Sequence, residues 1–200
     1  MPPDALAGVV ARSFAPAATL AAGSVAAVAA HPWPMAVDAA WGCVRVDGTW
    51  HTTYWVAQWP RIDVGPDFLA PLLLLPDVRR SVAVTMEPVP PLVAARQAEQ
   101  ARLAVDADDE LRRQGGYRIT ARRRRAQVGL VRREAELADG HADYRFAGYV
   151  TVTADDRTDL DEACRLVEQA AGQAGLVLRP CYGEQASAVA ATLPFGTGLR

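Results

Sequence analysis

The 200-residue chain contains no lysine: all 21 of its basic side chains are arginine. Its three cysteines, Cys43, Cys164 and Cys181, are too few and too scattered for a disulfide framework, and none belongs to a CxxC. An odd, small count points to a reducing compartment. No stretch supplies about 20 consecutive strongly apolar residues, so no bilayer-spanning helix is expected within the chain. His31, His51 and His141 stand far apart, without a partner at ligand spacing, so no metal site is expected. There is no G-x-S-x-G. The closing "FGTGLR" has neither the lysine nor the preceding strand of a phosphate-binding loop. With these signatures missing, no catalytic residue and no cofactor are expected.

What is present is an uneven distribution of charge. The net charge is −2. Residues 112–133, however, hold nine arginines and no acid, leaving twelve arginines against twenty-three acids elsewhere. Such asymmetry implies pairing within the fold or with a partner. The densest part is "RITARRRRAQVGLVRREAEL" (118–137), with Arg118, Arg122, Arg123, Arg124, Arg125, Arg132 and Arg133. Four successive arginines exceed a full helical turn and therefore surround the axis. A helix that reads a nucleic-acid groove concentrates its contacts on one side. The expectation is that part of this charge meets acids of a neighbouring helix. The remainder is free for a protein or a membrane surface, and less plausibly for nucleic acid.

Residues 1–34 are rich in Ala and Pro and read as a linker, with one α+β domain over 35–200. "DG" at Asp47–Gly48 marks a hairpin, with a core strand from Thr52 to Trp59. A helix is expected over 65–76 and a strand over 79–90. Residues 92–114 and 117–140 read as two long helices about Gly115–Gly116, an antiparallel αα-hairpin. In the second helix Val128, Val131, Ala135 and Ala138 share one stripe. Residues 144–154 form the strongest strand. Residues 155–175 form a helix with Leu160, Ala163, Cys164, Val167, Ala170 and Ala171 on one face. A strand at 176–181 and a helix at 182–194 complete the chain. This order fits a ferredoxin-like split βαβ sandwich, with the helical hairpin (92–140) inserted as an arm. Trp41, Trp50, Trp55, Trp59 and Tyr54 crowd one region. They read first as core and sheet edge, with Trp50, Trp55 and Trp59 as a candidate aromatic interaction patch.

The segments "VRVDGTWHTTYWVAQWPR", "VAVTMEPVPP", "RRRRAQVGLVRREAEL", "FAGYVTVTA" and the late "LP" occur in that order. Over residues 40–200 they resemble the actinobacterial SCO6880-type family, membrane-anchored proteins associated with conjugative elements. A broader similarity reaches the N-terminal domain of type IV secretion ATPases and the EccE component of type VII secretion. The resemblance implies upstream transmembrane segments, a soluble portion on the cytoplasmic face of the membrane, and a role in a conjugation or secretion apparatus. Neither Walker motif occurs, so ATP hydrolysis does not carry over. The expected role is a non-enzymatic assembly domain, whose partners are other subunits or its own copies. The alternative is an accessory nucleic-acid-binding domain working through the arginine helix.

Overall fold

The computed structural model describes residues 3–14, 33–114 and 120–193. The chain is α+β and divides into two compact units. One is Met1–Thr85 with Ala147–Arg200; the other is Met86–Phe146. The insertion read as 92–140 is therefore wider in the structure, and it takes in the ends of two strands. Among the described residues no helix is long and apolar enough to cross a membrane.

The first unit is built on a sheet in which β3 (Thr49–Gln58) is central. The meander β1 (Val37–Ala39), β2 (Val44–Val46), β3 begins it, all antiparallel. The β2–β3 turn is Asp47–Gly48 with φ of 46° and 90°. Both central residues are in the left-handed region that a tight type I′ hairpin requires, as the "DG" pair predicts. β5 (Asp143–Ala154) runs along one edge of β3, antiparallel from Trp50↔Ala154 to Trp55↔Tyr149. β4 (Arg79–Val89) follows beyond β5.

The other edge of β3 is shared between two strands. β2 pairs with Thr49–His51, and β6 (Val177–Pro180) pairs from Tyr54 to Gln58, with a register shift at Val56/Gln58. Thr53 lies where one strand leaves and the other takes over. Its N–H donates to Gln185 Oε1 at 2.7 Å, and its carbonyl accepts from Gln185 Nε2 at 3.1 Å and from the Cys181 N–H at 3.0 Å. The buried carboxamide thus stands in for a missing strand residue, satisfying a backbone N–H that would otherwise be buried and unpaired and adding a second donor to the carbonyl.

Side chains alternate between the two faces of this sheet. On one face Trp50, Tyr54, Val56, Val150, Val152 and Ala154 meet α2 (Ala70–Leu73) and α5 (Arg157–Gln173), which bury Leu72, Leu160, Val167, Ala170 and Ala171. α5 begins at Asp156, whose carboxylate accepts from the Asp159 N–H at 2.8 Å. It ends before Gly175, at φ +73°. The opposite face carries Val44, Val46, His51, Thr53, Thr151 and Thr153. It is covered by Val189 of α6 (Gln185–Ala190) and Phe14 of α1 (Pro3–Phe14).

Several expectations are corrected. Residues 3–14 of the supposed linker form a helix, with Val10 only 3% exposed, because Ala- and Val-rich sequence with an apolar face finds a sheet to cover. Residues 15–32 lie outside the described residues. The helix expected over 65–76 shrinks to four residues, since Pro71 falls in its first turn and turn bonds hold 65–70. The last helix starts only at Gln185, after Gly183 at φ +75°. β1 is an additional strand.

The second unit contains α3 (Pro91–Gln114) and α4 (Ala121–Ala138). Arg102 pairs with Glu134 at 2.8 Å, and Gln127 donates to Asp109. As the number rises along α3 it falls along α4, so the two helices are antiparallel, as expected.

Replacing Gln185 by Leu should lower stability by about 1–3 kcal/mol in chemical denaturation, because the Thr53 N–H loses its partner inside the protein while the carbonyl keeps only Cys181 N–H. A second test lies at Gly148, where an added Cβ would sit 2.6 Å from Trp59 Cζ2 and 2.8 Å from Val56 Cγ2. Gly148→Ala should cost about 1–3 kcal/mol. An unchanged melting temperature would show that Trp59 yields freely.

Candidate partner interface

On α3, Ala94 and Ala98 are buried, as is Asp109, which accepts from Gln127. On α4 the half-buried positions are Gln127, Leu130, Arg133, Glu134, Glu136 and Leu137, of which 127, 130, 134 and 137 follow helical steps of three and four. The apolar stripe anticipated for this helix is rotated one residue further. Val128 is 68% exposed and Val131 60%, and Ala135 and Ala138 are exposed with them. The side of α4 that meets α3 thus mixes Gln127 and Glu134 with Leu130 and Leu137, and the stripe from Val128 to Ala138 stays exposed, as do Leu103 and Leu111 of α3.

Two of the arginines singled out in sequence are paired within the second unit. Arg132 bonds Glu136 at 2.8 Å within its own helix, and Arg133 pairs with Asp143 while its Nε is buried without a partner. Arg124 is exposed. Arg122, Arg123 and Arg125 belong to α4 by backbone, with side chains outside the described residues; Arg118 lies outside them altogether. The pairing expected of Arg122, Arg123 and Arg125 falls on side chains outside the described residues, while a cross-helix ion pair joins Arg102 of the outgoing helix to Glu134 of the returning one. Both partners are about half exposed, so the pair contributes about 0–1 kcal/mol and sets register more than stability.

In the first unit the three candidate tryptophans are not on one face. Trp50 packs on the main core with the guanidinium groups of Arg45 and Arg157 at 5.6 and 5.7 Å from its ring centroid. Trp59 also packs on that core, against Gly148. Trp55 lies on the opposite face, 42% exposed, in register with Tyr149. More exposed than these are Trp33, Trp41 and Tyr182, and the last two stack with centroids 6.2 Å apart and planes at 10°. Trp41 and Tyr182 are 141 positions apart, so nothing in the sequence marks them as neighbours.

The groups with chemical potential are engaged structurally. His51 is fully buried, its Nδ1 2.9 Å from Thr153 Oγ1 and its Nε2 2.9 Å from the Phe14 carbonyl. A carbonyl can only accept, so Nε2 carries the proton and Nδ1 accepts from Thr153. The seam continues through Thr53–Thr151 at 2.8 Å and Thr192–Thr151 at 2.9 Å. Cys43 Sγ accepts from Arg157 at 2.6 Å. Burial pushes the Cys164 thiol up, with opposing hydrogen bonds from Tyr54 and Thr52, so it stays protonated. A cleft of about 600 Å³ is lined by Val9, Ser13, Leu73, Arg79, Ser81 and Thr153. Arg79 there pairs with Asp155 at 2.7 Å, and Arg80 holds the carbonyls of Leu73, Leu75 and Val78. Among the described residues no three His, Cys, Asp or Glu side chains are grouped to hold a metal ion. The chain matches no protein-family model and no curated protein.

Burial, opposed in part by the bond to Phe14, lowers the His51 pKa from 6.5 to about 4. The folded chain keeps this imidazole neutral where the unfolded chain would protonate it. Stability from His51 is thus complete above about pH 6.5 and declines as pH falls to about 4, by as much as about 3 kcal/mol. Denaturation curves at pH 7.5 and 4.5 should show a larger loss for the natural chain than for His51→Gln; equal losses would remove His51 as the cause.

Proposed function

We propose that this chain is a non-enzymatic assembly domain of a membrane-anchored component of a conjugative DNA-transfer or secretion apparatus, facing the cytoplasm. The observation that carries the proposal is the exposed stripe of α4, Val128, Val131, Ala135 and Ala138, on a helix otherwise rich in arginine. Apolar residues at spacings of three and four, 60–68% exposed at the valines, suit docking against another protein helix. The engagement of His51, Cys43 and Cys164 in packing bonds supports a structural role over a catalytic one. The strand order β6-β3-β5-β4 within the sheet, antiparallel where β3 meets β5 and β6, supports the finer reading of a ferredoxin-like split βαβ core. The partner is another subunit or a further copy of the chain.

The competing reading, an accessory nucleic-acid-binding domain, draws on the exposed Arg124 and its neighbours in the run. The two separate experimentally. A photo-crosslinker at Val131, in cells carrying the transfer element, should yield protein adducts. With the crosslinker kept at Val131, Val128→Lys with Ala135→Lys should abolish them while changing stability by no more than about 0.5 kcal/mol. Changing Arg122–Arg125 to Glu should then leave DNA affinity, if measurable, unaltered. A strongly salt-dependent DNA affinity lost in that variant favours the competing reading. Unimpaired transfer after deletion of residues 92–140 sinks the role assigned to the hairpin.

A further inference from the structure

One row of the central sheet carries two aromatic rings and a cation side by side. β3 sets Trp55 opposite Tyr149 of β5 on one edge and opposite Arg179 of β6 on the other. Register partners on neighbouring strands share a face, with Cβ atoms about 5 Å apart. That face is the one away from α5, because the alternate residues Tyr54, Val56, Val150 and Leu178 pack on the core under α5. α1 and α6 cover this second face at His51, Thr53 and the valines. One row further along β3 the surface opens. Trp55 is 42% exposed, Arg179 is exposed, and Val177, on the same side of β6 as Arg179, is 44% exposed.

Among the described residues Arg179 has no hydrogen bond or ion pair, so its charge is available to an anion from outside. Tyr149 stays a neutral phenol, since burial, with the Cys181 thiol and the Glu184 carboxylate near it, pushes its pKa up. Glu184, the cap residue of α6, is therefore the acid that bears on this row. The guanidinium calls for an anion, and the indole beside it calls for a flat face to stack on. The apolar part of the row is one indole and one valine, small beside the few hundred Å² (roughly) of a hydrophobic protein contact. A nucleotide carries a flat base and a phosphate together, and the face of its base is open only in a single strand.

We propose that this row binds single-stranded nucleic acid, with one base stacked on Trp55, an adjoining phosphate on Arg179 and Tyr149 flanking the base. β3 is bonded along both edges here, so the indole is presented by a stiff backbone and little ordering is needed on binding. The proposal goes beyond the assembly reading and is separate from the arginine run of α4, since it uses neither Val131 nor Arg122–Arg125.

The test is fluorescence anisotropy of a labelled thymidine strand of about 15 nucleotides with the whole chain, at about 20 to about 200 mM salt. The natural chain should bind with a Kd of about 1–100 μM, the range of sequence-independent binding. Trp55→Ala should weaken binding about tenfold, and Trp55→Phe, which keeps a ring, much less. Arg179→Gln should weaken it about fivefold and lower the salt slope by about one. Glu184→Gln should tighten it about twofold, the sign expected when a carboxylate that repels phosphate is removed. The Glu variant of Arg122–Arg125 should stay within about threefold of the natural chain. A strand of equal length without bases should bind at least about tenfold more weakly. Should Trp55→Ala fail to fold, Arg179→Gln and the abasic strand decide. No binding at about 20 mM salt overturns the proposal, as does equal affinity for the abasic strand or an affinity lost only with the α4 arginines. Displacement of the strand by poly-glutamate, with Trp55→Ala without effect, would overturn it in favour of an acidic protein. Strand binding without Val131 adducts leaves it intact and counts against the assembly role of α4. Val131 adducts without strand binding overturn it and leave that role standing.

Discussion

The first unit depends on one carboxamide. β3 must pair along a single edge with two strands from opposite ends of the chain, and strands that share an edge leave a gap where they meet. Gln185 closes that gap at Thr53 by offering an acceptor and a donor in the spacing of a peptide unit. Without it, β2 and β6 would have to abut, or a buried amide would go unpaired. With it, β2 is free to turn away toward β1 while β6 continues along β3. The terminal helix α6 thereby acquires a fixed place, since the residue that fills the gap is also its first.

The same constraint explains why the two faces of the sheet differ. The face under α5 is a conventional apolar core. The face under α1 and α6 mixes three valines with a polar seam of His51, Thr53, Thr151, Thr153 and Thr192, each with a partner. β-Branched threonines suit the strand and satisfy one another across it, so a polar interior costs little here. His51 reaches past the seam to the last carbonyl of α1, fastening the end of a helix that also buries Val10 and packs Phe14 on the valine cluster.

Much of the architecture was legible. The "DG" turn, the β3, β4 and β5 strands, the two long helices and the buried face of α5 all follow from period and punctuation; the break expected at Gly115–Gly116 lies outside the described residues. What was not legible shares a cause: it depends on which of two candidate faces a neighbour covers. α4 has an apolar stripe and a mixed one a single residue apart, and the cross-helix bonds of Gln127 and Glu134 accompany Leu130 and Leu137 in bringing the mixed one inward. Trp50, Trp55 and Trp59 lie close in sequence, yet alternation and the irregularity at Val56/Gln58 distribute them between faces. Gln185 offers no sequence signal, since a glutamine opening a short helix ordinarily reads as solvated. α1 was hidden by composition, because alanine-rich sequence is equally compatible with a linker until a partner surface exists.

Asp47 bears on a different matter, the order in which the chain acquires structure. Its backbone makes the β2–β3 turn, and its carboxylate accepts from the amides of Met35 and Ala36 at 2.8–3.2 Å. The β1–β2–β3 meander is thus closed by contacts between residues near in sequence, which form quickly. The partner on the other edge of β3 lies about a hundred residues further on, Thr151 being 98 positions from Thr53. During synthesis the meander would be complete long before β5 leaves the ribosome, and the central strand would spend that interval with one side bare. The whole of the second unit is made within that interval, so most of the wait for β5 is imposed by the insertion, and β6 and Gln185 arrive later still.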